Sequence, residues 1–298
     1  MSATSQLLAA TPESAAPSAL GRGVLRRALG LWRTRIGIVI TVALVATAIF
    51  GPFLAPHAAT ALVGTPYQQS GGKLLLGADY LGQDVWSRFL DGGRSILAVA
   101  ALATLLGVGS GVLIGIWSVL AGGWADSALL RITDILLAFP QILLALIVMA
   151  TVGPKTWLIV VTVAATTMPR TVRVIRGAAA GVVEQEFVGA AQAIGDRRLR
   201  IVAVEILPNV LGTLVVEATF RLTYAIQVIA ALAFLGLETS ADAPNWGTMV
   251  SENSSALVIQ PWGSLVPAAA IGLLTVGVGL IGDGLARVSA GIDRGAAQ

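Results

Sequence analysis

Cysteine is absent from the 298 residues, and histidine occurs once, at His57. The first absence excludes disulfides and thiolate metal or redox chemistry. The second excludes any multi-histidine metal site. Lysine is nearly missing, with only Lys73 and Lys155. Charge of either sign is scarce: 19 Lys and Arg plus 16 Asp and Glu make 12% of the chain, about half the share usual in soluble proteins. Too few polar residues remain to cover soluble domains of this length. With 56% hydrophobic residues and a mean hydropathy of +0.84, the chain reads as an integral membrane protein. The net charge of +3 is spread along loops, so no nucleic-acid partner is expected and the lipid bilayer is.

Residues 1–21 are rich in Ser, Ala, Thr and Pro with one charge, Glu13, and read as a disordered cytoplasmic tail. Arg22, Arg26, Arg27, Arg33 and Arg35 precede the first apolar run at 36–54. A cleaved signal peptide would carry a shorter apolar core nearer its start, so this run is expected to be a retained span. Further spans are expected at 95–121 and 135–154. A fourth follows Lys155 and runs through Arg170 to Val172, with Arg170 and Arg173 snorkelling to headgroups. The last two are expected at about 211–235 and 264–282. The fold class is therefore all-α, polytopic, with six transmembrane helices. Three parts follow: the first span and external loop to residue 94, a transmembrane domain over 95–287 with a cytoplasmic loop at 176–208, and a cytoplasmic tail over 288–298.

The basic residues test this topology. Fourteen fall on the side of the N-terminal segment, the loop after the fourth span and the C-terminal tail; four (Lys73, Arg88, Arg94 and Lys155) fall on the other. Arg221 lies within a span. The positive-inside rule then places both termini in the cytoplasm. Scarce Lys beside abundant Arg, Ala, Val and Gly points to a GC-rich bacterium, and so to a bacterial inner membrane.

Inside the spans, Gly107, Gly111 and Gly115 recur every four residues, a ridge suited to close helix packing. Pro140 predicts a kink in the third span. Glu217 and Arg221, four apart with the acid first, read as a helical ion pair that is structural or lines a solute path. Asp134 reads as a local pair with Arg131, and His57 as a solvated loop residue.

Enzyme chemistry has no foothold. Gly72-Lys73 is followed by Leu74, and Lys155-Thr156 is preceded by Pro154, so no phosphate-binding loop forms. Ser110 has no imidazole near it in sequence. No catalytic residue, cofactor or metal is expected in this chain.

The loop between the fourth and fifth spans has its own pattern. Val183, Phe187, Ala190, Ala191 and Ile194 recur at helical spacing. Gly195 reads as the stop, Asp196 as a fresh N-cap, and a second helix reaches Ile206 before Pro208. Two short helices with small residues on one face suit docking into another protein's groove; a plain connector is the other reading.

Gly189-Ala190-Ala191, then Gly195, then Leu207-Pro208 resembles the loop signature of permease subunits of bacterial ABC importers. Here Gly189 replaces the usual Glu, Glu205 replaces an Ile, and Ile229 stands where many members carry Glu. The segment 76–88, Leu-Gly-Ala-Asp-Tyr-Leu-Gly-Gln-Asp-Val-Trp-Ser-Arg, resembles the peptide/nickel branch. So do Asp126…Arg131…Asp134…Ala138-Phe139-Pro140, Phe234-Leu235-Gly236-Leu237, Pro244-Asn245-Trp246-Gly247 and Ile281-Gly282-Asp283-Gly284-Leu285. The likeness runs in order from about Arg22 to Asp293, and is to the "C" permease of dipeptide and oligopeptide importers.

That resemblance implies a type I ABC importer permease fold and half of a translocation path for dipeptides or short peptides. It implies a second homologous permease subunit, one or two cytoplasmic ABC ATPase subunits that hydrolyse the ATP, and an extracytoplasmic solute-binding protein. It also implies that Glu186, Phe187, Gly189, Ala190, Ala191, Gly195, Leu207 and Pro208 form the ATPase-coupling loop. The competing reading is a secondary transporter driven by an ion gradient; such carriers are commonly built from internal repeats, and none is evident here.

Overall fold

The computed structural model describes residues 26–72, 74–237 and 243–290. The expected tail at 1–21 lies outside the described residues, as does 291–298. Helix α1 is Trp32–Leu54, α2 Val85–Ala121, α3 Gly123–Ala138, α4 Gln141–Val152, α5 Thr156–Val183, α6 Glu186–Ala193 and α7 Arg198–Arg200. A π-helical turn, Ile201–Ile206, joins α7 to α8, Leu207–Phe234. The short α9, Trp246–Asn253, and the long α10, Trp262–Ser289, complete the order. Among the described residues, five stretches are long and apolar enough to cross a membrane, and six if α3 and α4 count as one broken span.

Helix α2 begins ten residues earlier than expected. The expected start follows the charge at Arg94, from which the sequence runs uncharged to Asp126. Arg94 satisfies its guanidinium on the carbonyls of Ala48 (3.0 Å) and Ile49 (2.6 Å) at the end of α1, and Arg88 is ion-paired. Asp84 caps the new start, its side chain accepting from the amides of Trp86 and Ser87. At 37 residues the helix is about 55 Å long, well beyond the roughly 30 Å hydrocarbon core, so its first turns stand outside the bilayer.

The glycine ridge of α2 lies against α5. A Cβ on Gly111 would fall 2.6 Å from Thr171 Cβ, and one on Gly107 2.3 Å from Thr167 Oγ1. The two backbones approach so closely only because these positions lack side chains.

The third span is a break and not a kink. Phe139 precedes proline, which disfavours the α region, and it sits at φ −84, ψ 134. Helices α3 and α4 consequently meet at 78°. Buried Gln141, the first residue of α4, donates from Nε2 to the Thr166 carbonyl of α5 and holds the break in place.

Two apolar cores result. One, toward α9, gathers Ile96, Met149, Ile226, Trp246 and Leu274; Ile229 belongs to it. The other, at the far end of the bundle, joins Val112, Ile116, Ile175, Val188, Ile201 and Ile206.

Candidate functional site

The loop at 176–208 forms around the second core. Helix α5 does not stop near Arg173 as expected but continues to Val183, because Ile175 and Ala179 keep its inner face buried. Val183 therefore belongs to α5. Glu184 and Gln185 turn the chain, and α6 starts at Glu186. Val188 (0% exposed) and Ala191 (9%) face the core; Glu186, Phe187, Gly189, Ala190 and Ile194 face outward. Gly189 has nothing within 4 Å of where a Cβ would stand. The expected small-residue face is thus divided: Gly189 and Ala190 are open, while Ala191 anchors the helix.

Gly195 lies at φ +89, a left-handed conformation that glycine adopts without steric cost. Asp196 is not the N-cap of the next helix. Arg197 takes that position with no side-chain cap, and Asp196 pairs instead with Arg200 at 3.0 Å. Nor is there a break at Pro208. The π turn runs straight into α8, with Asn209 Nδ2 donating to the Glu205 carbonyl at 2.6 Å. Half-buried Leu207 packs on the second core while Pro208 is exposed. One continuous helical rod from Arg198 to Phe234 therefore connects the loop to the bundle.

Higher in the bundle, Glu217 is buried and Arg221 Nε lies 2.9 Å from its Oε1. The contact is an ion pair without directed hydrogen-bond geometry. Thr171 of α5 donates a hydroxyl to the same carboxylate at 3.2 Å. Asp134 pairs with Arg173 of α5 at 3.1 Å and not with Arg131. The expectation failed because the α3–α4 break turns that face of α3 toward α5. Arg176 makes a two-pronged contact with Asp126, which also accepts from Ser118.

At the opposite end, segments far apart in sequence converge. Arg88 pairs with buried Asp79 and, at 3.1 Å, with Glu252 of α9. Asp79 Oδ1 accepts from the amides of Leu81 (2.9 Å) and Gln83 (2.8 Å). The Tyr80 amide donates to Asn253 Oδ1, Gln260 Nε2 to the Leu76 carbonyl, and Trp246 Nε1 to the Phe89 carbonyl at 2.8 Å. His57 is not simply solvated: its Nδ1 lies 3.2 Å from Asp84 Oδ2 and its amide donates to Ser87 Oγ. Sequence reading missed Glu252, Asn253 and Gln260 as partners of 76–88. The available signal was polar residues clustered in both of these loops.

Residues 107–290 match the family model for binding-protein-dependent transport system inner membrane components. The chain belongs to that family. It is 35% identical over 251 residues to the dipeptide transport system permease protein DppC of Alkalihalophilus pseudofirmus, covering 84% of this chain and 83% of that protein. It is 34% identical over 249 residues to the glutathione transport system permease protein GsiD of Escherichia coli, covering 83% and 82%. Among solved structures, a chain of the inward-facing MetNI methionine ABC transporter aligns with a TM-score of 0.50 at 19% identity, covering 67% of this chain and 94% of that one. The last similarity bears on fold: the helical bundle is that of a type I ABC importer permease. As a family member the chain is a multi-pass inner-membrane permease component.

Proposed function

We propose that this permease forms half of the path by which an ATP-driven importer moves dipeptides or short peptides inward. It pairs with a second, homologous permease. One or two cytoplasmic ABC ATPase subunits drive it, and an extracytoplasmic binding protein delivers the solute. Both termini lie in the cytoplasm, in keeping with the distribution of basic residues. Hydrolysis belongs to the ATPases; this chain supplies two packings of one bundle, biased by nucleotide.

The observation that carries the reading is the division of α6. Val188 and Ala191 fix its inner face to the core while Gly189 and Ala190 stay open. A helix exposed on one face and anchored on the other transmits a push as a rigid body. Its neighbours α5 and the Arg198–Phe234 rod extend directly into the spans. The peptide cargo is argued from DppC and GsiD, named for dipeptide and glutathione transport.

Ala190→Glu tests it. The variant places an unpaired charge on the outward face, where a docked groove would desolvate it. The permease should insert and pair with its partner permease normally, yet co-purify poorly with the ATPases and lose most peptide uptake in proteoliposomes. Normal assembly together with wild-type, peptide-stimulated ATP hydrolysis would remove α6 as the coupling element.

A further inference from the structure

Helix α5 carries three arginines spaced three apart: Arg170, Arg173 and Arg176. Arg176 has Asp126, and Arg173 has Asp134. On the facing helix, Arg221 has Glu217. Arg170 alone has no carboxylate within ion-pairing distance among the described residues. It is also the most deeply placed of the three. It stands about 21 Å from the Thr156 end of α5, against a hydrocarbon core of about 30 Å.

Arg170 is exposed, and its chain neighbour Thr171 donates to Glu217, the carboxylate that also holds Arg221 of α8. Two arginines therefore flank one α5–α8 contact, where the Glu217 carboxylate is already bound by Arg221 and Thr171. The region carries one positive charge in excess. Ionisable groups inside spans face a bundle interior or a water-filled cavity, since hydrocarbon would not accommodate them. A planar guanidinium accepts a carboxylate with two parallel hydrogen bonds.

We infer that the α5–α8 face bearing Arg170 and Arg221 is a carboxylate-binding station on the solute path, and that its ligand is the C-terminal carboxylate of a short peptide in transit. Arg170 supplies the free guanidinium and Arg221, held by Glu217, the second positive wall. The inference rests on the peptide-importer reading and adds to it the group on the cargo that the path recognises.

The test uses the assembled importer in proteoliposomes, with the other subunits' thiols blocked. This chain has no cysteine of its own, so Thr166→Cys, one turn from Arg170, is a single probe. Water-soluble methanethiosulfonates of opposite charge are compared. The anionic reagent should react several-fold faster than the cationic one, and Arg170→Gln should abolish that preference. Uptake of Ala-Ala should fall roughly tenfold in Arg170→Gln, the size of one lost charge-assisted contact, and recover in part in Arg170→Lys. A cysteine at 166 that neither reagent reaches, or a charge preference unchanged by Arg170→Gln, would make Arg170 an anchor for lipid phosphate and overturn the inference. Undiminished Ala-Ala uptake in Arg170→Gln would overturn it as well. Failure of the unmodified complex to transport any peptide would instead strike the proposed cargo. The reagent-charge comparison still decides whether an anion station is present.

Discussion

Arg176 of α5 grips Asp126 of α3 with two nitrogens, Nε donating to Oδ1 at 2.6 Å and Nη2 to Oδ2. Ser118 of α2 donates to the same carboxylate. Three helices are thereby joined at one point where the bundle meets the loop. Charge-assisted, two-pronged contacts are the strong class of hydrogen bond.

Arg176→Gln should therefore lower the stability of the detergent-solubilised permease by roughly 1–3 kcal/mol, and Asp126→Asn by a similar amount. The double variant should lose less than the sum of the two. A thermal-unfolding cycle of the four proteins measures the coupling; additive losses would mean that the pair is not energetically linked.

Glu217 and Arg221 make the complementary case inside the bundle. Glu217→Ala leaves half-buried Arg221 unpaired, which is worse than removing both charges. Yield and monodispersity after extraction should fall sharply in Glu217→Ala and recover in part in Glu217→Ala/Arg221→Ala. If both single variants assemble normally yet change which solute is carried, the pair acts on cargo and not on structure.

The α2–α5 seam sets a steric prediction. Gly111→Val puts a branched side chain where even a Cβ would lie 2.6 Å from Thr171. Overpacking of this kind typically costs about 1–3 kcal/mol, and the variant should assemble poorly at 37 °C. Gly109 has open space around it, so Gly109→Ala should be tolerated in the same assay.

Topology can be read with single cysteines. A cysteine at exposed Ser70 should react with an impermeant maleimide in intact cells, whereas one at Ile194, 83% exposed on the loop after α6, should react only after permeabilisation. The reverse order of labelling would invert the proposed orientation.

Burial pushes the Glu252 carboxyl above the ordinary carboxylate range, with Arg88 opposing the shift. A raised folded-state pKa means that the contribution of Glu252 is fully present below its unfolded pKa. It is lost as pH rises through the folded value. Glu252→Gln should therefore flatten the fall in thermal stability of the α9 end as pH rises above about 4.3, the ordinary glutamate value. An unaltered pH profile in the variant would show that this group does not set it.

Composition alone determined that the chain lives in a membrane, because a chain with so few charges cannot cover itself with water-facing groups. Apolar runs free of charge determined most of the spans, and glycine spacing the α2 ridge, since those signals are local. The Gly195 turn was legible for the same reason: glycine relieves a steric restriction within one residue. What lay beyond reach were the partners. The ten extra residues of α2 exist because Arg88 meets Asp79 and Glu252, the latter 164 residues away. Asp134 chose Arg173 over Arg131 because the backbone at Phe139 and Pro140 turns α3 toward α5. Ala191 faces inward and Ala190 outward because of the direction in which α6 leaves α5. Sequence spacing assigns residues to faces; only tertiary packing decides which face is covered and which charge finds its counter-ion.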